Sequence, residues 1–111
     1  MAEDKIGNAQ ITVTDTVNLN AVTSATNGDA FDTKKFDKKT VFVNVSVNTN
    51  AVTVNIEASH NRTTWFNLDS KTYTAATATD IFSYNSYFPF MRTTTTSQTD
   101  ATVTTNISGR S

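Results

Sequence analysis

Valine occupies every second position from 41 to 47, and after a polar break the period resumes with Val52, Val54 and Ile56. A period of two marks an extended strand with one face turned to a core, because successive strand side chains point to opposite faces. Two such runs, so close together, leave no helical reading for the middle of the chain. Phe42, Asn44, Ser46 and Asn48 form the other face of the first run. The short connection around Thr49-Asn50 predicts an antiparallel hairpin whose apolar rows share one buried face.

The same period extends outward from this segment. Gln10 to Asn20 sets Ile11, Val13, Val17 and Leu19 against Thr12, Thr14, Thr16 and Asn18, with Asp15 the one polar residue in the apolar row. That predicts a half-buried strand, and Asn27-Gly28 beyond it predicts a tight turn or loop, since both residues tolerate positive φ. After the polar turn Ser59 to Thr64, Trp65, Phe66 and Leu68 predict a short aromatic strand, and Asp69-Ser70-Lys71 predicts another turn. Thr72 to Thr79 is a weaker Thr/Ala segment, Ile81 to Tyr84 a short apolar strand, and Asn85-Ser86 a turn. Tyr87 to Thr96 and Ala101 to Ser108 complete the series, with Thr93 to Thr96 read as an exposed strand and Pro89 placing its strand at an edge or at a strand start. Seven or eight short strands and no helical period predict an all-β, single-domain antiparallel sandwich or barrel over residues 9–111, preceded by a polar arm at residues 1–8.

Composition supports this and removes several functions. Threonine occurs 23 times and asparagine 12 times, while only 17% of the 111 residues are charged. Such a chain builds one modest core under an uncharged polar surface, and its β-branched residues favour strands. The net charge of −1 lacks the basic footprint that phosphate contacts need, so no nucleic-acid partner is expected. With no cysteine, disulfides and thiolate zinc sites are excluded, and stability must come from packing, strand pairing or association. Met1-Ala2-Glu3-Asp4-Lys5 leads into no apolar run, so neither a signal peptide nor a membrane partner is expected.

Catalysis needs a base, nucleophile or metal held in a cleft. The single histidine, His60, falls in a polar turn, and no local motif supports a triad around it. Asp29, Asp32 and Asp37 are interleaved with Lys34, Lys35, Lys38 and Lys39 and follow no calcium-loop spacing. No enzymatic activity, metal or cofactor is therefore expected. The four lysines instead offer a docking loop for an acidic patch on a partner protein. Trp65, Phe66, Tyr73, Phe82, Tyr84, Tyr87, Phe88 and Phe90 are core candidates, but adjacent Trp65 and Phe66 cannot share a face, which leaves exposed aromatics for a protein or sugar partner. Asn44, Asn61 and Asn106 each open a glycosylation-type triplet, as expected by chance in so Asn- and Thr-rich a chain.

The stretch from Val52 to Leu68, with its strand, polar turn and Trp65-containing strand, resembles a module of small tailed-phage structural proteins. In that family the turn often holds Asp-Gly, where this chain has His60-Asn61-Arg62. Tyr87-Phe88-Pro89-Phe90-Met91-Arg92, the Thr-rich strand after it and Ala101 to Gly109 resemble the module's closing hairpin, so the likeness spans about residues 41–109. Discoidin-like carbohydrate-binding sandwiches share part of the pattern. The phage resemblance implies a jelly-roll-like sandwich that decorates a capsid or forms part of a tail or fibre. On this basis the expected role is a capsid decoration, or cement, protein on the virion surface, made in the host cytoplasm. Its expected partners are the major capsid protein and itself, as a homotrimer. The capsid-facing residues are expected to be Met1, Ala2, Glu3, Asp4, Lys5 and Ile6 of the arm and Lys34, Lys35, Lys38 and Lys39 of the loop. The alternative is a carbohydrate-binding or tail/fibre module of a virion or adhesin.

Overall fold

A computed structural model describes residues 13–47, 49–74 and 76–111. Eight strands run in chain order as β1 (Val13–Val22), β2 (Phe31–Asp32), β3 (Lys38–Ser46), β4 (Val52–Ser59), β5 (Trp65–Tyr73), β6 (Thr77–Tyr84), β7 (Phe90–Thr96) and β8 (Thr102–Arg110). They form two four-stranded sheets, ordered β1-β8-β3-β6 and β2-β7-β4-β5, with every pairing antiparallel. The pairs β1/β8, β2/β7, β3/β6 and β4/β5 are those of one long hairpin ribbon folded at the β4–β5 turn and rolled into two layers. This is the jelly-roll sandwich. The arm, residues 1–8, lies outside the described residues.

The valine rows do face one core, but from opposite layers. Val41, Val43 and Val45 of β3 meet Val52, Val54 and Ile56 of β4 across the sandwich, together with Leu19, Tyr73, Met91, Val103 and Ile107. The expected β3–β4 hairpin is therefore corrected: β3 pairs with β6 and β8, and β4 with β5 and β7. Periodicity reports which face of a strand is buried, and it is silent about the neighbouring strand. Each buried valine or isoleucine contributes about 1.5–3 kcal/mol to folding.

Three further expectations change. In β1 the register against β8 shifts between Val17 and Leu19, so Asn18 is an extra residue that inverts the strand's faces. Leu19 is buried, whereas Val13 and Val17 stand outside beside Asp15. Asp69-Ser70-Lys71 is no turn but the second half of β5. There Asp69 accepts the Tyr84 hydroxyl proton, and Lys71 and the Tyr73 hydroxyl both reach Asp80 Oδ2, at 2.6 and 3.1 Å, stitching the β5 and β6 edges together. Thr93, Thr94 and Thr95 are buried, because β7 is flanked by β2 and β4. Pro89 immediately precedes β7, as a residue without an N–H should.

Thr93 belongs to a polar link between the layers. Thr93 Oγ1 lies 2.6 Å from Thr105 Oγ1 of the facing sheet, and Thr105 Oγ1 accepts the Leu19 N–H at 3.0 Å. Asn18 Oδ1 accepts both the N–H and the hydroxyl of Thr93, each at 2.7 Å. The bulge thus turns an amide side chain toward β7 beyond the end of the two-residue β2, where it replaces a missing backbone partner.

The β5–β6 seam carries a pH dependence. Burial, followed by the bonds to Asp80 and Asp69, raises the Tyr73 and Tyr84 hydroxyls well above the ordinary phenol range. An unfolded tyrosine ionises near about pH 10. Between that value and the raised ones the folded chain keeps protons that the unfolded chain has lost, so the seam's stabilisation is complete below about pH 10 and disappears as pH rises through the folded values. Tyrosinate absorbance followed with near-ultraviolet circular dichroism is expected to show these two rings ionising as the fold is lost. Ionisation of all three tyrosines on an intact native baseline would contradict it.

Candidate functional site

The outer face of the β1-β8-β3-β6 sheet is where the chain breaks its own polar pattern. Strand register places Val17 opposite Asn106, Asn106 opposite Phe42, and Phe42 opposite Ile81. The four residues make one row across all four strands, at right angles to the chain direction. Among the described residues six large apolar side chains are exposed, and four of them belong to this face: Val13 at 67%, Val17 at 53%, Phe42 at 42% and Ile81 at 62%. Single exposed apolar residues are ordinary, but an aligned set on one face marks a contact surface.

Phe42, Asn44, Thr79, Ile81, Thr104 and Asn106 line a shallow concavity of about 640 Å³ in this face. Its second row, Thr104, Asn44 and Thr79, offers hydroxyl and amide groups beside the apolar row. Asp15 accepts the Ser108 hydroxyl at 2.7 Å, and Lys38 and Arg110 form the ladder's last rung with Val13. The apolar row and the Thr104-Asn44-Thr79 row beside it contain no charged side chain. An apolar ridge among neutral hydrogen-bonding groups suits the core of a protein–protein interface, where charged residues are depleted.

A second concavity, about 290 Å³, lies at one end of the sandwich and is lined by His60, Phe66, Leu68, Tyr87, Phe88 and Pro89. His60 and Phe66 have ring centroids 5.9 Å apart, and Phe66 and Tyr87 are exposed. The turn that presents them is held by Asn61 Oδ1, which accepts the Thr63 and Thr64 N–H groups, and by Ser59 Oγ, which accepts those of Asn61 and Arg62. Arg62 adopts a left-handed φ of 69° there, the position that glycine fills in an Asp-Gly turn. Its guanidinium lies 4.5 Å from the Phe90 ring centroid, which offsets part of that strain.

The lysines singled out in the sequence do not converge. Lys34 pairs with Asp32 at 3.1 Å and lies over Phe90, Lys35 lies over Phe36, and Lys38 opens β3 on the outer face. Lys34 and Lys35 line a small concavity of about 370 Å³ with Phe31 and Phe36. Lys39 is not presented to a partner. It is 1% exposed, donates to the Phe36 and Ser86 carbonyls and sits 5.3 Å from the Phe88 ring centroid, and burial lowers its pKa. It ties two loops together at the end of the core. Met1 to Ile6 lie outside the described residues. Among the described residues no three acidic or histidine side chains gather as a metal-holding group.

The apolar row was missed in the sequence, although its signal was present. Phe42 stands in the polar row of the clearest strand, and Val17 shares a face with Asp15, which belongs in solvent.

No protein-family model and no curated protein matches the chain. Among solved structures, the SPBc2 prophage-derived protein YomS is similar in fold, with a TM-score of 0.65 at 15% sequence identity, covering 96% of this chain and 100% of that one.

Proposed function

We propose that the protein is a tailed-phage virion component that decorates the outside of the capsid, docking through the outer face of the β1-β8-β3-β6 sheet. The row Val17, Asn106, Phe42 and Ile81 carries the reading, because a face built this way gains by being covered. The phage likeness of residues 41–109 and the fold shared with a prophage-derived protein support the setting. The partner is the major capsid protein, and neither nucleic acid, membrane nor cofactor takes part. The arm, Met1 to Ile6, is a second capsid contact in this reading. Binding only the assembled shell stabilises it by mass action, and contacts that bridge neighbouring subunits resist their separation.

Phe42→Glu places a charge in the middle of the row at a side chain that is no part of the core. Occupancy on capsids prepared without the protein, measured by co-sedimentation, is expected to fall about 30-fold or more, the loss typical of a central aromatic anchor. The melting temperature should stay near that of the parent chain. Undiminished occupancy would remove the face from the interface.

A second reading, a glycan-binding module of a fibre or adhesin, is favoured by the exposed Phe66 and Tyr87 at the end concavity. Saturable binding on a glycan array, lost in Tyr87→Ala and retained in Phe42→Glu, would move the function there.

A further inference from the structure

The four edge strands of the sandwich are not equally protected. β2 is two residues long, β1 carries two register shifts against β8, and β5 carries one against β4. Shortness and bulges are the devices that keep an edge from pairing with another chain. β6 has neither. Its eight residues hold one uninterrupted register against β3 from Thr77 to Tyr84, with no proline or lysine, and its outward residues are Thr77, Thr79, Ile81 and Ser83. Its one charge, Asp80, is turned to the inner side, and Lys71 meets it at 2.6 Å. Ile81, at 62% exposure, is the end of the apolar row and lies on this edge, which no other strand pairs among the described residues.

We infer that β6 pairs antiparallel with β6 of a second copy about a two-fold axis at Ile81, joining two sandwiches into one eight-stranded sheet. Side-chain alternation restricts the register. Residues directly opposite in an antiparallel pair share a face, so a symmetric pairing must centre on a residue. Centring on Asp80 opposes two carboxylates. Centring on Ile81 opposes Ile81 to its own copy, Thr79 to Ser83, Asp80 to Phe82 and Ala78 to Tyr84, and it places no like charges directly opposite each other. The axis is normal to the sheet, so both outer faces stay on one side. The apolar row then runs Val17, Asn106, Phe42, Ile81 and back through the copy in reverse order, doubling the proposed docking ridge. Such a contact is isologous and closes at two copies, in place of the trimer expected from the sequence.

The chain has no cysteine, which makes the register directly testable. Residues facing each other across antiparallel strands have Cα atoms about 4.5–5.5 Å apart, within the span of a disulfide. Ile81→Cys is therefore expected to oxidise to a covalent dimer in high yield. Thr79→Cys alone lies roughly 13 Å from its own copy, at about 3.3 Å per residue, and should not; mixed with Ser83→Cys it should. Light scattering should give a dimer for the parent chain and a monomer for Ile81→Lys. A parent chain that stays monomeric at every concentration, or Thr79→Cys that cross-links alone as readily as Ile81→Cys, overturns the pairing. The pairing stands apart from capsid docking: a monomer that occupies capsids removes only the former, and a dimer that ignores them only the latter.

Discussion

Gly109→Ala is expected to be among the most destabilising single-methyl changes in the molecule. Gly109 lies in β8 with the Phe36 ring laid directly on it. A Cβ there would stand 2.3 Å from Phe36 Cδ2 and 2.5 Å from Cγ, so the whole ring must move. Phe36 has little room to do so. It is buried, stacks on Phe31 at 6.1 Å between centroids, and its carbonyl accepts the buried Lys39 ammonium at 3.2 Å. Overpacking of this kind costs about 1–3 kcal/mol, and each kcal/mol lowers the melting temperature of a domain this size by about 4–8 °C. Calorimetry of Gly109→Ala, Phe36→Leu and the double variant should show strong non-additivity, with the smaller side chain recovering part of the loss. Additive losses would mean that the ring does not oppose the new methyl group.

Asn18→Ala should cost as much by a different route. The amide oxygen is the partner of both the N–H and the hydroxyl of buried Thr93, and the amide nitrogen donates to the Asp29 carbonyl at 2.8 Å. Removing it leaves a buried backbone donor unpaired, a penalty of about 1–3 kcal/mol before the lost packing is added. Thr93→Val preserves shape and backbone, so its loss is expected to be smaller, near about 1 kcal/mol. Urea denaturation measures both, and a Thr93→Val loss exceeding that of Asn18→Ala would show that the hydroxyl, not the amide, organises the link. Gly28 belongs to the same unit: a Cβ there would stand 1.9 Å from Asn18 Oδ1 and 2.9 Å from the Thr93 carbonyl oxygen.

The class of fold was legible wherever one strand face is wholly apolar, as in Val41 to Val47, because burial imposes a period that no other structure satisfies. It was illegible where geometry departs from that period. Asn18 adds one residue to β1 and exchanges its faces, and nothing local distinguishes this from an unbroken strand with Asp15 misplaced. Asp69 to Lys71 reads as a turn because the residues are polar, yet their partners, Tyr84 and Asp80, are nine or more positions away. Thr93 to Thr95 read as exposed because a threonine hydroxyl carries no mark of its partners in the fold, which are Asn18 and Thr105 for Thr93, Asn55 for Thr94 and the Thr26 N–H for Thr95. Pairing partners were hidden for the same reason: alternation in β3 and β4 is identical whether they are neighbours or opposite each other. The docking row needed the register of four strands before Val17, Phe42 and Ile81 became one feature.

The position of β8 sets the order in which the chain can be completed. The eighth strand in chain order is an inner one, lying between β1 and β3 and hydrogen-bonded to both. Until Thr102–Arg110 emerges, β1 has no neighbour in its sheet, Leu19 has no Thr105 to receive its N–H, and one side of the β3 ladder stays open. Folding of the first sheet therefore waits for β8, and a chain cut short before residue 102 is missing a middle strand and not a dispensable tail. With partners so distant in sequence, closure is slow compared with a domain built from local hairpins. A virion that took up only chains carrying the outer-face row would, by the same geometry, take up only chains that had been synthesised through β8.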